Sequence, residues 1–351
     1  MKIAVLVSGG VDSSVALRLL QAAGHDVTAF YLKIWLEDEL SFLGECPWEE
    51  DLEFVRAVCK QAKVPLEIVP FQKEYWEQVV SYTVSEVKAG RTPNPDMLCN
   101  ARIKFGAFYD HIGNKFDKIA TGHYAQVEEK DELTYLKRSP DPIKDQTYFL
   151  SQLSQSQLSR ALFPIGGFEK NEVRKLAEEY ELPNAKRKDS QGICFLGKIP
   201  FDKFLEFHLG KRPGKLIEYE NKKVLGEHDG FWYFTVGQRR GIKLPGGPWY
   251  VVKKDGVKNE VYISHGEHHE MLARDTFTVG GLNWISGTPP KKTELQVKVR
   301  HGAKIYPATV EYLKKSRVTV TLNEKDKGIA GGQFAVFYDG EYCLGGGVIE
   351  E

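Results

Sequence analysis

Short apolar runs alternate with segments of helical periodicity from Met1 to about residue 200. Val11, Val15 and Leu19 recur every four residues, as on the buried face of a helix that ends near Gly24. The same pattern predicts further helices and strands. The predicted strands are Ile3–Val7, Val27–Leu32, Leu66–Val69 and Lys118–Ala120, and the other predicted helices are Leu52–Ala62, Tyr75–Lys88 and Ala101–Ile112. Strands separated by helices indicate an α/β fold with a parallel sheet, whose ligands bind beyond the carboxyl ends of the strands.

The pattern changes after about residue 205, where short β-type segments follow one another with Gly and Pro between them. The strands predicted here are Lys215–Tyr219, Trp232–Val236, Trp249–Val252, Val261–Ser264, Phe277–Val279, Glu294–Val299, Ala308–Leu313, Val318–Leu322, Gln333–Phe337 and Tyr342–Val348. Several strands with turn signals are typical of a small sandwich or barrel. We therefore predict an α/β domain over residues 1–204, a small β-rich domain over 205–269 and a barrel-like domain over 270–351.

The composition is that of an ordinary soluble protein, with 42% hydrophobic and 27% charged residues among 351. No apolar run approaches the roughly 20 residues of a membrane-spanning helix. The run Ile3–Val7 is also too short for the core of a signal peptide. We therefore expect a cytoplasmic protein without a membrane partner, and we expect a monomer.

The charges are balanced but unevenly distributed. Lys plus Arg and Asp plus Glu both total 48, and this neutrality argues mildly against a nucleic-acid partner. Residues 37–53 contain eight acidic and no basic residues, whereas basic pairs such as Arg239-Arg240 occur elsewhere. An uneven field can still steer a polyanion, although each cluster alone is also typical of a solvated surface.

The five cysteines are scattered and form no CxxC pair, so the sequence predicts neither a disulfide framework nor a zinc site. Cys59 lies among apolar residues of a predicted helix and Cys343 in a predicted strand, so we interpret both as core residues. Cys46 lies within the acidic stretch 37–53, and no chemical role is assigned to it.

The first candidate for chemistry is Ser8-Gly9-Gly10-Val11-Asp12-Ser13-Ser14, between a predicted strand and a predicted helix. Glycines permit a tight turn, and the N–H groups at a helix start bind anions such as phosphate. The Ser hydroxyl groups add donors, whereas the Asp12 carboxylate would repel phosphate and is expected to act through Mg²⁺. The loop lacks the Lys of a Walker A motif and the spacing of GxGxxG. The plain alternative is an ordinary turn with Ser and Asp as helix caps.

Two further segments place a cysteine among Gly or Pro residues. In Gly90-Arg91-Thr92-Pro93-Asn94-Pro95-Asp96-Met97-Leu98-Cys99-Asn100, the prolines stiffen a connection between helices that holds Asp96 and Cys99. Cys194 lies in the loop Lys188-Asp189-Ser190-Gln191-Gly192-Ile193-Cys194-Phe195-Leu196-Gly197. The structural alternative is that Asp96 caps a turn and that both thiols are simply packed.

The Ser8–Ser14 loop resembles the pyrophosphatase loop of the N-type ATP pyrophosphatases, which cleave ATP to AMP and pyrophosphate. All three segments, in this order, resemble the tRNA-specific 2-thiouridylases over nearly the whole chain. Further matching stretches are Gly122-His123-Tyr124-Ala125, Lys144 through Leu150, Thr235 through Gly241 and the tail from Val336 to Gly347. This resemblance implies an adenine nucleotide hydrolase-like parallel-sheet domain followed by two smaller β-rich domains.

The same resemblance implies ATP-dependent 2-thiolation of the wobble uridine of tRNA through an adenylated uridine. Cys194 would carry sulfur as a persulfide, and Cys99 would be the second catalytic thiol, leaving a Cys99–Cys194 disulfide. Asp96 would be a general acid or base, since a carboxylate near a thiol raises the thiol pKa and suits proton transfer.

The resemblance also implies the binding residues and partners. The ATP contacts would be Ser8, Gly9, Gly10, Val11, Asp12, Ser13, Ser14, Leu32 and Gly122, with Mg²⁺ as the metal ion. The tRNA contacts would be Lys144, Asp145, Gln146, Arg239 and Arg240. The partners would be the anticodon loop of tRNA and a sulfur donor such as a cysteine desulfurase or a relay protein. His123 would help to hold ATP or the target loop, or serve only as a structural histidine.

Two other functions stay open on the sequence. A ligase of the ATP pyrophosphatase type would need no essential cysteine. A tRNA-binding protein without thiolating activity would bind adenylate without releasing pyrophosphate.

Overall fold

The computed structural model describes residues 1–34, 48–189, 199–266, 273–314 and 316–350. Its strands, in chain order, are β1 (Lys2–Leu6), β2 (Asp26–Lys33), β3 (Leu66–Pro70), β4 (Lys118–Ala120), β5 (Ala125–Lys130), β6 (Leu133–Arg138), β7 (Ala161–Leu162), β8 (Gly214–Glu218), β9 (Val224–His228), β10 (Trp249–Asp255), β11 (Glu260–His265), β12 (Arg274–Trp284), β13 (Glu294–Lys298), β14 (Tyr306–Leu313), β15 (Arg317–Asp326), β16 (Phe334–Asp339) and β17 (Tyr342–Ile349).

The N-terminal region is built on a five-stranded parallel sheet with the order β3-β2-β1-β4-β7. Ile3, Ala4 and Val5 of the central strand β1 are fully buried. A continuous apolar run of this kind is what a strand covered on both faces requires. The sheet confirms the predicted α/β class, with strand bounds within a residue or two of those expected.

Helices cover this sheet and connect its strands. The α-helices are Val11–Ala22, Trp48–Ala62, Gln72–Tyr75, Ser81–Lys88, Pro95–Leu98, Phe108–Ile112, Thr147–Leu150, Gln155–Leu158, Lys170–Glu179 and Phe201–Leu209; the π-helical segments are Trp76–Val80 and Cys99–Ala107, and the 3₁₀ turns are Gly113–Lys115 and Phe231–Tyr233. Within the described ranges, none of these helices is long and apolar enough to cross a membrane.

One helix begins earlier than predicted. Helical structure runs without interruption from Pro95 to Ile112, so Asp96 and Cys99 lie on a helix and not on a loop. The reason is local: the Asn94 side chain caps the helix by accepting from the Met97 N–H at 3.4 Å, and Pro95 takes the first helical position. Proline suits that position because its missing N–H would be unsatisfied there anyway.

The central part forms a separate four-stranded sheet with the order β10-β11-β8-β9. The predicted strand Trp232–Val236 is wrong, because this stretch is the 3₁₀ turn Phe231–Tyr233 followed by further turns. Glycines with positive φ lie on both sides of it, Gly230 at +154° and Gly237 at +87°. The aromatic residues there are buried through turns and not through a strand.

The last six strands close into a barrel, with the order β12-β15-β14-β13-β16-β17 and a pairing of β12 with β17. Alternate side chains point inward, as Val318, Val320 and Leu322 do on β15. The two β-rich domains are therefore confirmed, while the exact boundaries at 204 and 269 stay predictions.

A hairpin from the N-terminal region joins the barrel's sheet. β5 and β6 pair with each other, and β6 pairs with β17 through Lys137–Tyr342 and Leu136–Cys343. The sequence pattern missed this hairpin because Asp131 and Glu132 occupy the turn at φ +50° and +63°. Two-residue hairpin turns are usually recognised in a sequence by Asn-Gly or Asp-Gly.

Candidate active site

The Ser8–Ser14 loop leaves the carboxyl end of β1 and starts the helix Val11–Ala22. Gly9 has φ +77°, and a Cβ there would lie 2.6 Å from the carbonyl oxygen of Asp51, so only glycine fits. The hydroxyl groups of Ser13 and Ser14 donate to the carbonyl oxygen of the N-cap residue Gly10 at 3.1 and 3.0 Å. Gly10 has no side chain to cap the helix, and the role of this helix start as an anion site stays a prediction.

Gly122 follows β4 and touches the start of the same helix. A Cβ on Gly122 would lie 2.6 Å from the backbone nitrogen of Ser13. β1 and β4 are neighbours at the point where the strand order reverses, which is where open parallel sheets bind ligands. Leu32 lies near the carboxyl end of β2, at the same edge. The predicted ATP-binding residues Ser8 to Ser14, Leu32 and Gly122 are thus brought to one edge of the sheet, and their role in binding ATP stays a prediction.

Asp12 lies in a network of charges that the sequence did not reveal. Both carboxylate oxygens of Asp12 accept from Lys170 Nζ, at 2.8 and 2.9 Å, and one also accepts from the Tyr124 hydroxyl at 2.9 Å. Lys170 reaches Asp189 at 2.8 Å as well. Burial together with the Asp12 charge raises the pKa of Tyr124, so the phenol stays protonated and donates.

Two further side chains donate hydrogen bonds to the Ser8–Ser14 loop. Asn184 is buried and donates to the carbonyl oxygen of Gly9 at 2.8 Å and to the Ser14 hydroxyl at 2.9 Å. Arg187 donates to the same carbonyl oxygen at 3.1 Å and pairs with Asp51. These contacts fix the loop before any ligand binds.

The donor set at the loop fits Mg²⁺ bound mainly by phosphate. Among the described residues there is no cluster of three or more His, Cys, Asp or Glu side chains that could hold a metal ion on its own. Mg²⁺ at nucleotide sites takes one or two carboxylates together with phosphate oxygens and water. The carboxylate of Asp12, with 31% of its side chain exposed, could supply that one protein ligand by exchanging a contact with Lys170 for the ion.

The Cys99 thiol lies in a dry environment. Its side chain is 2% exposed, and burial raises its pKa. The positive charge of Lys104 and a hydrogen bond with Tyr75 lower the pKa of Cys99, whereas the charge of Asp96 raises it further. Leu32 packs against the hydrophobic cluster that includes Cys99.

The other cysteines divide into two groups. Cys194 and Cys46 lie outside the described residues, so the predicted pairing of Cys194 with Cys99 stays a prediction. Cys59 and Cys343 are free and buried, as predicted from their apolar surroundings. Burial raises the pKa of Cys59 to about 11 and that of Cys343 to about 12, which makes both thiols poor nucleophiles.

The predicted tRNA contacts of the 144–146 segment have different surroundings. Lys144 is partly exposed and pairs with Asp189 at 2.7 Å. Asp145 is fully buried and pairs with the fully buried Lys298 of β13 at 3.0 Å. Gln146 exchanges hydrogen bonds of 2.9 Å with the backbone of Tyr124. Lys144 is therefore the member of this group with a charge near solvent.

Arg239 and Arg240 are exposed on a turn of the central domain. The turn is held by Gln238, whose side chain accepts from the Thr235 N–H at 2.9 Å and donates to the Arg240 carbonyl oxygen at 2.8 Å. Exposed guanidinium groups on a fixed turn are suited to phosphate contact. His123 is almost buried, and its Nδ1 lies 2.7 Å from the Thr121 hydroxyl. Burial lowers the pKa of His123 well below its usual value, so the ring is neutral.

Comparison with known proteins decides the family. The family model described as the tRNA methyl transferase HUP domain matches residues 1–198, the tRNA methyl transferase PRC-barrel domain matches 202–265, and the aminomethyltransferase beta-barrel domain matches 274–349. The tRNA-specific 2-thiouridylase MnmA of Parabacteroides distasonis is 47% identical over 357 residues, or 99% of each chain. This chain belongs to the tRNA-specific 2-thiouridylase family. Two further thiouridylases, MnmA of Porphyromonas gingivalis and MnmA 1 of Bacteroides thetaiotaomicron, are each 44% identical over 99% of both chains.

Solved structures resemble this thiouridylase family member only in part. An NMN synthetase from Francisella tularensis has a TM-score of 0.36 and 15% identity, over 60% of this chain and 77% of the other. A 4-thiouridine synthetase in complex with RNA and bound ATP has a TM-score of 0.34 and 18% identity, over 58% of this chain and 49% of the other. Likenesses of this degree carry no argument about function.

Sequence reasoning missed several residues that shape the thiouridylase site. Lys170, Asn184 and Arg187 hold the Ser8–Ser14 loop, yet each lies more than 150 residues from it in the chain. Asp189 belongs to the Cys194 segment that the sequence did single out, but its partners were not foreseeable there. A polar residue at a helix start or in a loop carries no local signal of such a long-range contact.

Proposed function

We propose that the protein transfers sulfur to C2 of the wobble uridine of tRNA, using ATP to form an adenylated uridine and a persulfide on Cys194. The chain's full-length similarity to proteins named tRNA-specific 2-thiouridylases supports the reaction. The observation that supports the proposal is a chain of contacts from the Cys99 helix to the Ser8–Ser14 loop. Phe105 of that helix and His123 both pack on Phe163, with ring centroids 6.1 and 6.0 Å apart. His123 follows Gly122, which touches Ser13 of the loop.

The first step activates the uridine. The start of the helix Val11–Ala22 and the Ser hydroxyl groups of the loop would bind the phosphates of ATP. A Mg²⁺ ion held by Asp12 would neutralise part of the phosphate charge. The C2 oxygen of uridine attacks the α-phosphorus and pyrophosphate leaves. Oxygen at C2 is a poor leaving group, whereas AMP is a good one, so the difficult substitution becomes two easier ones.

The second step exchanges oxygen for sulfur. The terminal sulfur of the Cys194 persulfide attacks C2, the C2–O bond breaks, and AMP leaves with the electron pair. The Cys99 thiolate then attacks Sγ of Cys194, which breaks the S–S bond of the adduct and leaves the outer sulfur on C2 as 2-thiouridine. A Cys99–Cys194 disulfide remains, and an external dithiol reduces it to two thiols.

Asp96 would exchange a proton with Cys99. It lies three residues before Cys99, on the preceding turn of the same helix, and its charge raises the thiol pKa. A thiol with a raised pKa needs a base in order to become a nucleophile at neutral pH. Because Cys99 is 2% exposed, access of the persulfide to it requires movement when tRNA binds.

The test is nucleoside mass spectrometry of unmodified tRNA incubated with the protein, ATP, Mg²⁺, cysteine, a cysteine desulfurase and a dithiol. We expect 2-thiouridine from the unchanged protein. Loss of about a thousandfold or more is expected for Cys194→Ser and for Cys99→Ser, since each removes a reacting atom. Cys59→Ala is the matched control, because Cys59 is a buried free thiol distant in sequence from both segments.

Three outcomes would contradict this proposal. Cleavage of ATP to AMP and pyrophosphate without sulfur transfer would favour a ligase of the same superfamily. Adenylate binding without pyrophosphate release would favour a tRNA-binding protein. Full activity of either Cys→Ser variant would remove that residue from the mechanism.

A further inference from the structure

A turn of the C-terminal barrel binds the chain just before the Cys99 helix. The Thr92 N–H donates to the carbonyl oxygen of Gly331 at 2.9 Å, and Gln333 Nε2 donates to the carbonyl oxygen of Thr92 at 3.0 Å. Both backbone polar groups of Thr92 are thus used by residues of the turn Ala330–Gln333. The turn is fixed in the barrel, because the Gly332 N–H donates to the carbonyl oxygen of Ile349 at 3.0 Å.

The contact at Gly332 is too close for a side chain. A Cβ on Gly332 would lie 2.8 Å from the backbone nitrogen of Thr92 and 2.8 Å from the Cβ of Arg91. Gly332 also has φ +89°, a conformation that strains other residues. Any larger residue would therefore push the turn and the Arg91–Thr92 backbone apart.

A second contact joins the same two regions. Asn94, the N-cap of the helix that carries Asp96 and Cys99, hydrogen-bonds with the Tyr148 hydroxyl. The Tyr148 hydroxyl in turn donates to the carbonyl oxygen of Phe334 at 3.0 Å, at the start of β16. The cap of the helix is thereby connected to the barrel through a buried phenol.

We propose that the barrel turn Ala330–Gln333 positions the catalytic segment 92–99, with Gly332 and Gln333 as positioning residues for Cys99. This inference rests on the proposed function, in which Cys99 is a reacting group. Thiol exchange requires the attacking sulfur to meet the S–S bond in line, so a small displacement of the helix start lowers the rate strongly. The barrel would accordingly contribute to catalysis without contacting the reacting atoms.

The test compares Gly332→Ala with Gly340→Ala. Gly340 also has a positive φ, +59°, and lies in the same barrel, but a Cβ there would meet nothing within 4 Å. Both substitutions therefore introduce backbone strain into the barrel, and only Gly332→Ala displaces the chain before Cys99. The pair separates a positioning role from a loss of barrel stability.

The main readout is iodoacetamide alkylation of Cys99 without tRNA, followed on the tryptic peptide of residues 92–102, in which Cys99 is the only cysteine. We expect Gly332→Ala to raise the alkylation rate of Cys99 by about tenfold, because a displaced helix start opens a buried thiol more often. The buried thiols Cys59 and Cys343 should react at unchanged rates in both Gly332→Ala and Gly340→Ala. Single-turnover thiolation should fall by about tenfold or more in Gly332→Ala at saturating tRNA, with KM for ATP unchanged.

Gln333→Met is a second variant, which removes the amide donor to Thr92 while retaining a side chain of similar length. A smaller increase in Cys99 alkylation is expected for it, and it keeps the proposal testable if Gly332→Ala does not fold. Equal acceleration at Cys59, Cys99 and Cys343 would indicate general destabilisation and would overturn the proposal. An unchanged alkylation rate of Cys99 in Gly332→Ala and in Gln333→Met would also overturn the proposal. Failure of the proposed function would instead appear as absence of thiolation in the unchanged protein.

Discussion

Lys144 and Asp145 are neighbours in the chain but belong to two different charge clusters. Lys144 pairs with Asp189, which is linked through Lys170 to Asp12 of the Ser8–Ser14 loop. The side chains of this network are 14–36% exposed. Asp145 turns toward the barrel and pairs with Lys298, and both of these side chains have no exposed surface. The first cluster is open to a ligand, whereas the second is closed to solvent.

The difference shows how one short motif can serve two purposes. The Asp145 carboxylate is fully satisfied: one oxygen accepts from Lys298 and Arg138, and the other from the Thr147 hydroxyl and N–H. A buried pair of this kind fixes the relative position of the parts that it joins, more than it adds stability. Lys144 keeps its charge near solvent, where a tRNA phosphate could compete with Asp189.

The largest effect is expected from breaking the buried pair. Asp145→Asn would remove the counter-charge of the fully buried Lys298 and of the partly exposed Arg138. We expect the free energy of unfolding to fall by about 3–5 kcal/mol, as for other buried pairs that lose one partner. Denaturant unfolding at pH 7 measures it. The double variant Asp145→Asn with Lys298→Met should regain part of the loss, because it removes the uncompensated charge.

Asp339→Asn is the matched control for this prediction. Asp339 pairs with Lys292 on the same barrel, but their side chains are 46% and 63% exposed. An exposed pair is worth about 0–1 kcal/mol, so this variant should be close to the unchanged protein in stability. Equal losses for Asp145→Asn and Asp339→Asn would show that the distinction between the two clusters is wrong.

The sequence predicted the first cluster's surroundings better than the second. The Ser8–Ser14 loop follows from local pattern, because a strand, two glycines and a helix start lie within a few residues. The position of Asp145 does not follow from its motif, since its partner Lys298 is 153 residues away. The β5–β6 hairpin that brings this region to the barrel also lacked a glycine turn signal. Pairing between residues far apart in the chain produces no local periodicity from which it could be predicted.

The Cys99 segment shows that a local pattern can also predict the wrong secondary structure. Asp96 and Cys99 stay candidates, and the segment that holds them was expected to be a loop because of its prolines. Asn94 and Pro95 instead start a helix there, a use of proline that depends on the cap. The thiol is buried in a hydrophobic cluster that also contains distant residues such as Phe204 and Trp232, which the local sequence does not contain.

An intermediate effect is expected from Lys144→Met. If Lys144 binds a tRNA phosphate, this variant should bind tRNA about two- to fivefold more weakly at moderate salt, and the slope of log K against log salt should fall by about 1. Its stability should change by less than about 1 kcal/mol, because its pair with Asp189 is partly exposed. Filter binding at several salt concentrations measures both quantities.

Lys137→Met is the control for tRNA binding. Lys137 pairs with Glu341 at 3.1 Å on the barrel side and is also partly exposed. It should leave tRNA affinity and salt dependence unchanged. An identical loss of affinity in the two variants would mean that Lys144 contributes only to the general field of the protein.

The smallest effect is expected from Asp189→Asn, and its sign depends on pH. Burial alone would raise the pKa of Asp189, but hydrogen bonds and charges from Lys144 and Lys170 outweigh it and hold the pKa well below the usual carboxylate range. A carboxylate whose pKa is lower in the folded state stabilises the fold at pH values above its unfolded pKa of about 3.9. That contribution is lost as the pH falls through the lower, folded-state pKa.

The stability difference between the unchanged protein and Asp189→Asn should therefore be constant from pH 8 to about pH 5, on the order of 1 kcal/mol or less. It should shrink below about pH 4, where the unfolded chain begins to bind a proton at this position. Denaturant unfolding across this range measures the difference, with Asp339→Asn correcting for effects common to any lost carboxylate. A difference that grows as the pH falls would mean that Lys144 and Lys170 do not stabilise the ionised form of Asp189. In that case the charges of the open cluster would not stabilise the fold, and its contrast with the closed cluster would rest on exposure alone.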